Sequence, residues 1–300
     1  MARNAVLAPH IRSKGDASAW HDYVMLIKPR VLFMVIVTSA IGFYLALTPR
    51  ANSFLLFVNT ILATICVGGG AMALNQYLER EEDAKMQRTC ARPIPAGRMR
   101  PEQALFFGIL LSVLGFLIFS VYVNLTSMLF ALATSVIYLF AYTPLKKKTS
   151  LATFVGAVSG ALPPLIGWSA AGGVVNHQAL SLFSILFFWQ LPHFLAIDWM
   201  YRSDYARAGF KTLAVLDPSG KMVLRQMVVN TSALLTVSLL PALFRISSEV
   251  YFVAAFILGV CFSSVVIYAF SDLNERARFV LRASVAYLPL LLIFMLVDKG

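Results

Sequence analysis

Residues 54–74 read Phe54-Leu-Leu-Phe-Val-Asn-Thr-Ile-Leu-Ala-Thr-Ile-Cys-Val-Gly-Gly-Gly-Ala-Met-Ala-Leu74, and the chain continues Asn75-Gln-Tyr-Leu-Glu79-Arg-Glu-Glu-Asp83-Ala-Lys-Met86-Gln-Arg88-Thr89-Cys-Ala-Arg92-Pro93. The first part carries no charge, and its length matches the ~20 residues a helix needs to cross hydrocarbon. The second part starts where the apolar run stops. Asn75, Glu79 and Asp83 are spaced i, i+4, i+8, which predicts one face of a helix. Like charges four apart destabilise an isolated helix by roughly 0.2–0.5 kcal/mol per pair. A cation between them removes that penalty, and oxygen ligands of this kind suit Mg²⁺. Arg88 and Arg92 follow, again four apart. Taken singly, each arginine is equally well explained by membrane topology. Beside the acidic face they point to a site for metal-complexed phosphate.

The rest of the chain agrees with a membrane reading. It is 59% hydrophobic and 13% charged, against about 45–50% and 25% in soluble domains. Nine spans are expected, at about 30–48, 54–74, 104–123, 126–143, 151–171, 179–198, 222–244, 249–271 and 280–297. The expected fold is all-α, a polytopic bundle around a central cavity open to the cytoplasm, with residues 30–300 as one integral-membrane domain. Residues 1–29 read as a partly disordered cytoplasmic leader. They lack the apolar core and small-residue cleavage site of a signal peptide. Cys66, Cys90 and Cys261 show no paired spacing, so neither a disulfide framework nor a zinc site is indicated.

Charge sets the expected orientation. Segments 1–30, 75–103, 144–150, 199–225 and 272–282 hold 22 of the 25 lysines and arginines, and the other side has only Arg50, Arg245 and Lys299. The positive-inside rule then puts the N-terminus in the cytoplasm and the C-terminus on the outer side. The net charge of +11 faces an anionic leaflet and any anionic substrate arriving there. The basic residues are spread over short loops, which argues against nucleic acid.

The two longest cytoplasmic loops follow spans 2 and 6. That periodicity suggests a duplicated four-helix unit plus one helix, with both loops bordering one cavity. The second block contains Phe188-Trp189-Gln190-Leu-Pro192-His193-Phe194, then Asp198, then Asp204-Tyr205. Pro192 is expected to kink its helix. Gln190, His193 and Asp198 are polar groups in or near the bilayer, where such residues face a protein interior or a wet cavity. His193 has two readings here: it caps the carbonyl freed by Pro192, or it serves a ligand. Lys28-Pro29-Arg30 and Tyr142-Thr143-Pro144-Leu145-Lys146-Lys147-Lys148 are basic junctions. The lysine run reads first as topogenic, with a phosphate role open for Lys146. Gly68-Gly69-Gly70 lies inside a span without a following Lys-Ser/Thr, so it reads as close helix packing and not as a phosphate loop.

The block from Asn75 through Glu79, Asp83, Met86, Arg88 and Thr89 to Arg92 resembles the signature of intramembrane prenyltransferases of the UbiA superfamily. Lys28-Pro29-Arg30, Tyr142 to Lys146, Trp189-Gln190-x-Pro192-His193-Phe194 and Asp204-Tyr205 to Gly209 are similar to its haem-farnesylating branch. The matches run from about residue 28 to 215. The resemblance implies transfer of farnesyl from farnesyl diphosphate to a vinyl group of haem B, with addition of water, to give haem O for terminal oxidase assembly. It implies Mg²⁺ on Asn75, Glu79 and Asp83, and diphosphate on Arg88, Arg92, Lys146 and Lys28. Asn75, Asp83, Arg88 and Arg92 would carry the catalysis. Trp189, Gln190, His193, Asp204 and Tyr205 would form a haem pocket. It further implies the inner membrane of a bacterium, the lipid bilayer as surroundings, and transient contact with haem A synthase or oxidase assembly proteins. The chain departs from the superfamily pattern at Glu82, where an apolar residue is usual, and in lacking two aspartates four apart in the second loop. A prenyltransferase for an aromatic acid or quinone precursor is the nearest rival, and the 189–194 block argues against it. A transporter is the rival from another class, and the short, nearly uncharged outer loops argue against that.

Overall fold

The computed structural model describes residues 19–47 and 52–299. Most of the expected leader lies outside them, but its end is ordered as helix α1, Ala19–Leu26. Among the described residues there is no β-strand, and eight helices are long and apolar enough to cross a membrane. They are α2 Pro29–Ala46, α3 Ser53–Leu78, α5 Pro101–Val123, α6 Leu125–Leu145, α9 His177–Met200, α12 Lys221–Leu243, α13 Glu249–Ser271 and α14 Leu273–Val297. Short helices α4 Arg80–Lys85, α10 Arg202–Arg207 and α11 Leu213–Leu216 lie in the two long loops.

The expected span 151–171 is not one helix. It is divided into α7, Ala152–Ala161, and α8, Pro163–Ala170. Pro163 and Pro164 have no N–H to donate, and their rings crowd the preceding turn. Residues 161–171 are nonetheless all buried. A broken helix at this depth is tolerated because protein surrounds it.

Packing follows the small residues. A Cβ on Gly70 would stand 2.3 Å from Ser112 Oγ and 2.7 Å from the Gly108 carbonyl oxygen. The glycine run therefore lets α3 lie directly against α5, as its composition suggests. The largest core cluster joins α2, α9, α12, α13 and α14 through Ile41, Leu186, Met227, Tyr251 and Leu288. Helix α9 runs unbroken through Pro192. Helices α2, α3, α6, α7 and α9 enclose the central cavity.

Asp217 starts α12. It accepts from the Met222 amide at 2.6 Å and the Val223 amide at 3.3 Å. Burial pushes its carboxyl up, but hydrogen bonds from Ser219, Met222 and Val223 hold it below the usual carboxylate range. The cap's stabilisation is therefore complete above the pH at which an unfolded aspartate ionises, and is lost as pH falls through the folded value. Asp217→Ala is expected to cost about 1 kcal/mol, measured as a lower thermal midpoint at neutral pH that converges with wild type in acid.

Candidate active site

The central cavity is about 550 Å³ and has two chemically distinct ends. Helix α3 brings the acidic face to one of them. Glu79 leaves helical geometry at φ −96°, ψ 12°. The i to i−4 hydrogen bonds continue across it all the same, from the Glu79 amide to Asn75 at 2.9 Å and from the Asp83 amide to Glu79 at 2.8 Å. The face is therefore kept, and Asn75, Glu79 and Asp83 all line the cavity. Glu82 does not. It is buried and forms an ion pair with Lys147 away from the cavity.

Each polar group on this face meets a partner across the cavity. Lys28 Nζ donates to Asn75 Oδ1 at 2.7 Å, and Lys146 Nζ to Glu79 Oε1 at 2.7 Å. Arg92 Nη1 donates to Asp83 Oδ2 at 2.6 Å. Asn75 also accepts from the Tyr138 hydroxyl at 3.1 Å and donates to Thr143 Oγ1 at 3.0 Å. Tyr138 and Tyr142 come from a π-helical segment, Ile137–Tyr142, a widening of α6 common at functional sites. Lys28 holds a left-handed backbone, φ 47°, unfavourable for a residue before proline.

Electrostatics reflect this crowding. Burial, reinforced by Arg92, pushes the Lys28 ammonium down to about 7. Burial pushes the Glu79 carboxyl up, but Lys146 and Lys28 outweigh it and hold the group below its usual range. Burial disfavours the Lys146 ammonium, but Tyr142 and Glu79 outweigh that and raise it above its ordinary value. Glu79 and Lys146 thus keep their charges by pairing, whereas Lys28, which faces the neutral Asn75, holds its proton less firmly.

The second loop closes over the first. Asp204 accepts from the Arg88 amide at 3.2 Å, and Arg88 Nη2 donates to the Tyr205 hydroxyl at 3.1 Å. The Arg88 guanidinium lies 4.7 Å from the centre of the Tyr201 ring. Met86, Ala208 and Phe210 form a small buried cluster between the loops. Both long loops therefore border one cavity, as their spacing suggests.

The expected second block is split. Gln190 and Tyr205 line the cavity, together with Phe194, Ile197, Asp198 and Thr212. Trp189 and His193 are not among its lining residues. They are four apart on α9 and turned toward α14. Trp189 Nε1 donates to the Ser284 carbonyl at 2.7 Å, and His193 Nδ1 pairs with Ser284 Oγ at 2.8 Å. Their rings stack at 5.2 Å. His193 thus neither faces the cavity nor caps a carbonyl freed by Pro192. Asp204 is also off the wall, holding the Arg88 amide and Arg207. Sequence reasoning passed over Tyr138, Phe210 and Thr212, which carry no motif by themselves.

The other end of the cavity is small and apolar, lined by Val31, Val35, Val67, Ala71, Ala131 and Ile166 among others. From Asn75 up to Thr64, the deepest lining residue of α3, eleven helical residues span roughly 16 Å.

The polar end fits a hard cation. Its donors are an amide oxygen and two carboxylates, and buried Asp83 Oδ1 has no hydrogen-bond partner. Among the described residues no group of three or more His, Cys, Asp or Glu forms a metal cage. Mg²⁺ does not need one, because it takes one or two carboxylates plus substrate phosphates.

Fold and cavity together define a multi-pass membrane protein whose central cavity joins a charged end to an apolar one. Residues 35–290 match the UbiA prenyltransferase family, and the chain belongs to that family. A Protoheme IX farnesyltransferase of Solibacter usitatus is 44% identical, over 93% of this chain and 98% of its own length. One from Koribacter versatilis is 38% identical, over 95% of each. Among solved structures, a digeranylgeranylglyceryl phosphate synthase superposes with a TM-score of 0.76 at 18% identity, covering 93% of this chain and 98% of its own. A UbiA homologue from Archaeoglobus fulgidus, bound to DMAPP and Mg²⁺, gives 0.72 at 17% identity over 92% and 98%. These structures share the fold.

Proposed function

We propose that the protein transfers the farnesyl group of farnesyl diphosphate to a vinyl group of haem B, with addition of water, giving haem O and diphosphate. The observation that carries this reading is the polarity of one cavity. The cavity follows α3 for roughly 16 Å, a length in keeping with a fifteen-carbon chain, and its charged end carries Lys28, Arg88, Arg92 and Lys146. The names of the curated relatives support haem as the acceptor.

In this reading the cations bind the diphosphate, and Arg92 and Lys146 exchange their carboxylate partners for phosphate oxygens. Asn75, Glu79 and Asp83 would hold Mg²⁺, which supplies positive charge to the leaving diphosphate. Paired charges fixed in a water-poor cavity favour ionisation of the allylic carbon–oxygen bond. The apolar walls keep bulk water from the cation. Tyr138 fixes Asn75, and Tyr205 fixes Arg88. The charged end faces the cytoplasm, following the distribution of lysine and arginine.

Purified protein incubated with haem B, farnesyl diphosphate and Mg²⁺ is expected to yield farnesylated haem by mass. Product from an aromatic acid and not from haem would sink the reading. Arg92→Ala is expected to raise KM for farnesyl diphosphate about tenfold or more with little change in haem affinity, since one charge-assisted hydrogen bond contributes about 1.5–3 kcal/mol. Equal loss of both affinities would mark Arg92 as structural. His193→Ala is expected to leave the haem absorption spectrum of the complex unchanged and to lower the thermal midpoint by the loss of one part-buried hydrogen bond, about 1 kcal/mol. A shifted haem spectrum would return His193 to the pocket.

A further inference from the structure

Two side chains in the cavity wall have no part in holding the donor. Asp198, near the end of α9, is only 6% exposed. Its Oδ2 accepts from the Ala214 amide at 3.1 Å. Its Oδ1 and the buried hydroxyl of Thr212 have no close hydrogen-bond partner, although the hydroxyl lies near enough to the carboxylate to favour its charged form. Both residues line the cavity. The other carboxylates of the wall, Glu79 and Asp83, are each paired with a cation. Asp198 has no ion-pair partner among the described residues. A buried acceptor left unpaired is costly, and use of the group by a reaction is one reason a native structure keeps it. Tyr205, whose hydroxyl accepts from Arg88, lines the same cavity.

The reaction, on the reading given above, needs such a group. The C1–O bond of the donor breaks and its electron pair leaves with diphosphate. C1 joins the outer vinyl carbon of haem. The inner vinyl carbon, left electron-poor, bonds to the oxygen of a water molecule, which must then lose one proton. Glu79 and Asp83 are committed to cations. We propose that Asp198 accepts this proton, and that the Thr212 hydroxyl donates to the same water and holds it against the vinyl carbon. The water then has two fixed polar partners, the fewest that an ordered buried water usually makes. The carboxylate ends protonated, and the product carries a hydroxyl on the carbon next to the porphyrin ring.

Without the acceptor the same cation has another outlet. It loses a proton from the carbon newly joined to farnesyl and becomes an alkene, lighter than the hydroxylated product by one water. Mass analysis of the haem products therefore tests the assignment, on full-length wild type, Asp198→Asn and Thr212→Val supplied with haem B, farnesyl diphosphate and Mg²⁺. Asp198→Asn is expected to lower the hydroxylated product about a hundredfold, the scale of a general base, with the lighter farnesylated haem taking its place. Thr212→Val, which removes a hydroxyl with no close hydrogen-bond partner and keeps the side chain's shape, is expected to fold normally and to raise the share of the lighter product severalfold. Unchanged product ratios and rates would overturn the proposal. If Asp198→Asn fails to fold, Thr212→Val decides alone, and an unchanged ratio there overturns it. Loss of Mg²⁺-dependent farnesyl diphosphate binding in Asp198→Asn would also overturn it, by making the residue a donor-site ligand. Absence of any farnesylated haem from wild type would instead mean that the reading of the site had failed.

Discussion

Asp83→Asn is expected to lower kcat/KM for farnesyl diphosphate by about a thousandfold, at the upper end for loss of one preorganised electrostatic group, while the protein stays folded and inserted. Asp83 is 1% exposed, and its Oδ2 accepts from Arg92 at 2.6 Å. An asparagine keeps the volume and one acceptor, so packing barely changes. The charge is lost, and with it both the hold on a hard cation and the partner that aligns Arg92. The two losses act on the same leaving group and are not additive. Arg92→Ala removes only one cation among four, which explains its smaller expected effect. The measurement is steady-state turnover on protein whose thermal midpoint has been checked. Wild-type turnover from folded Asp83→Asn protein would overturn the assignment of the acidic face.

Gly167→Ala is expected to destabilise the protein by about 3 kcal/mol or more, the upper end for overpacking a buried contact. A Cβ there would stand 1.8 Å from the Ser39 carbonyl oxygen and 2.7 Å from the Phe43 amide nitrogen. Both are backbone atoms of α2, so no side chain can swing away. The contact is reciprocal, since a Cβ on Gly42 would lie 2.1 Å from the Pro164 carbonyl oxygen. Parting α2 from α8 would also displace Val35 and Ile166, which line the apolar end of the cavity. A large fall in thermal midpoint, or failure to accumulate in the membrane, is the expected result. A Gly167→Ala protein that melts like wild type would show that the two helices separate without cost.

Much of the donor end was legible because its signals are local. The i, i+4, i+8 spacing of Asn75, Glu79 and Asp83 fixes a face whatever lies opposite, and the structure keeps that face through the break at Glu79. The acceptor end was less legible. Gln190 and His193 are polar residues on one helix, and periodicity alone cannot say which face meets the cavity. Ser284 on α14, 91 residues from His193, offers a partner and draws His193 and Trp189 aside. Glu82 is similar: it departs from the motif's usual apolar residue, and only the structure shows it turned from the cavity and paired with Lys147. The expected span at 151–171 was read from length and apolarity, and the consecutive prolines at its centre outweighed both.

Sequence by itself determined that this is an all-α membrane chain with a cation-and-phosphate motif at the end of its second apolar run. Hydrocarbon length, charge asymmetry and helical period are properties of contiguous residues, so no neighbour is needed to read them. Only the tertiary structure decided which polar groups share the cavity. Lys28, Asn75, Tyr138 and Lys146 meet there across separations of 47 to 110 residues. Asp198 is left there with a free oxygen. Pairing in a low-dielectric interior is settled by who lies opposite, and that is set by the packing of whole helices.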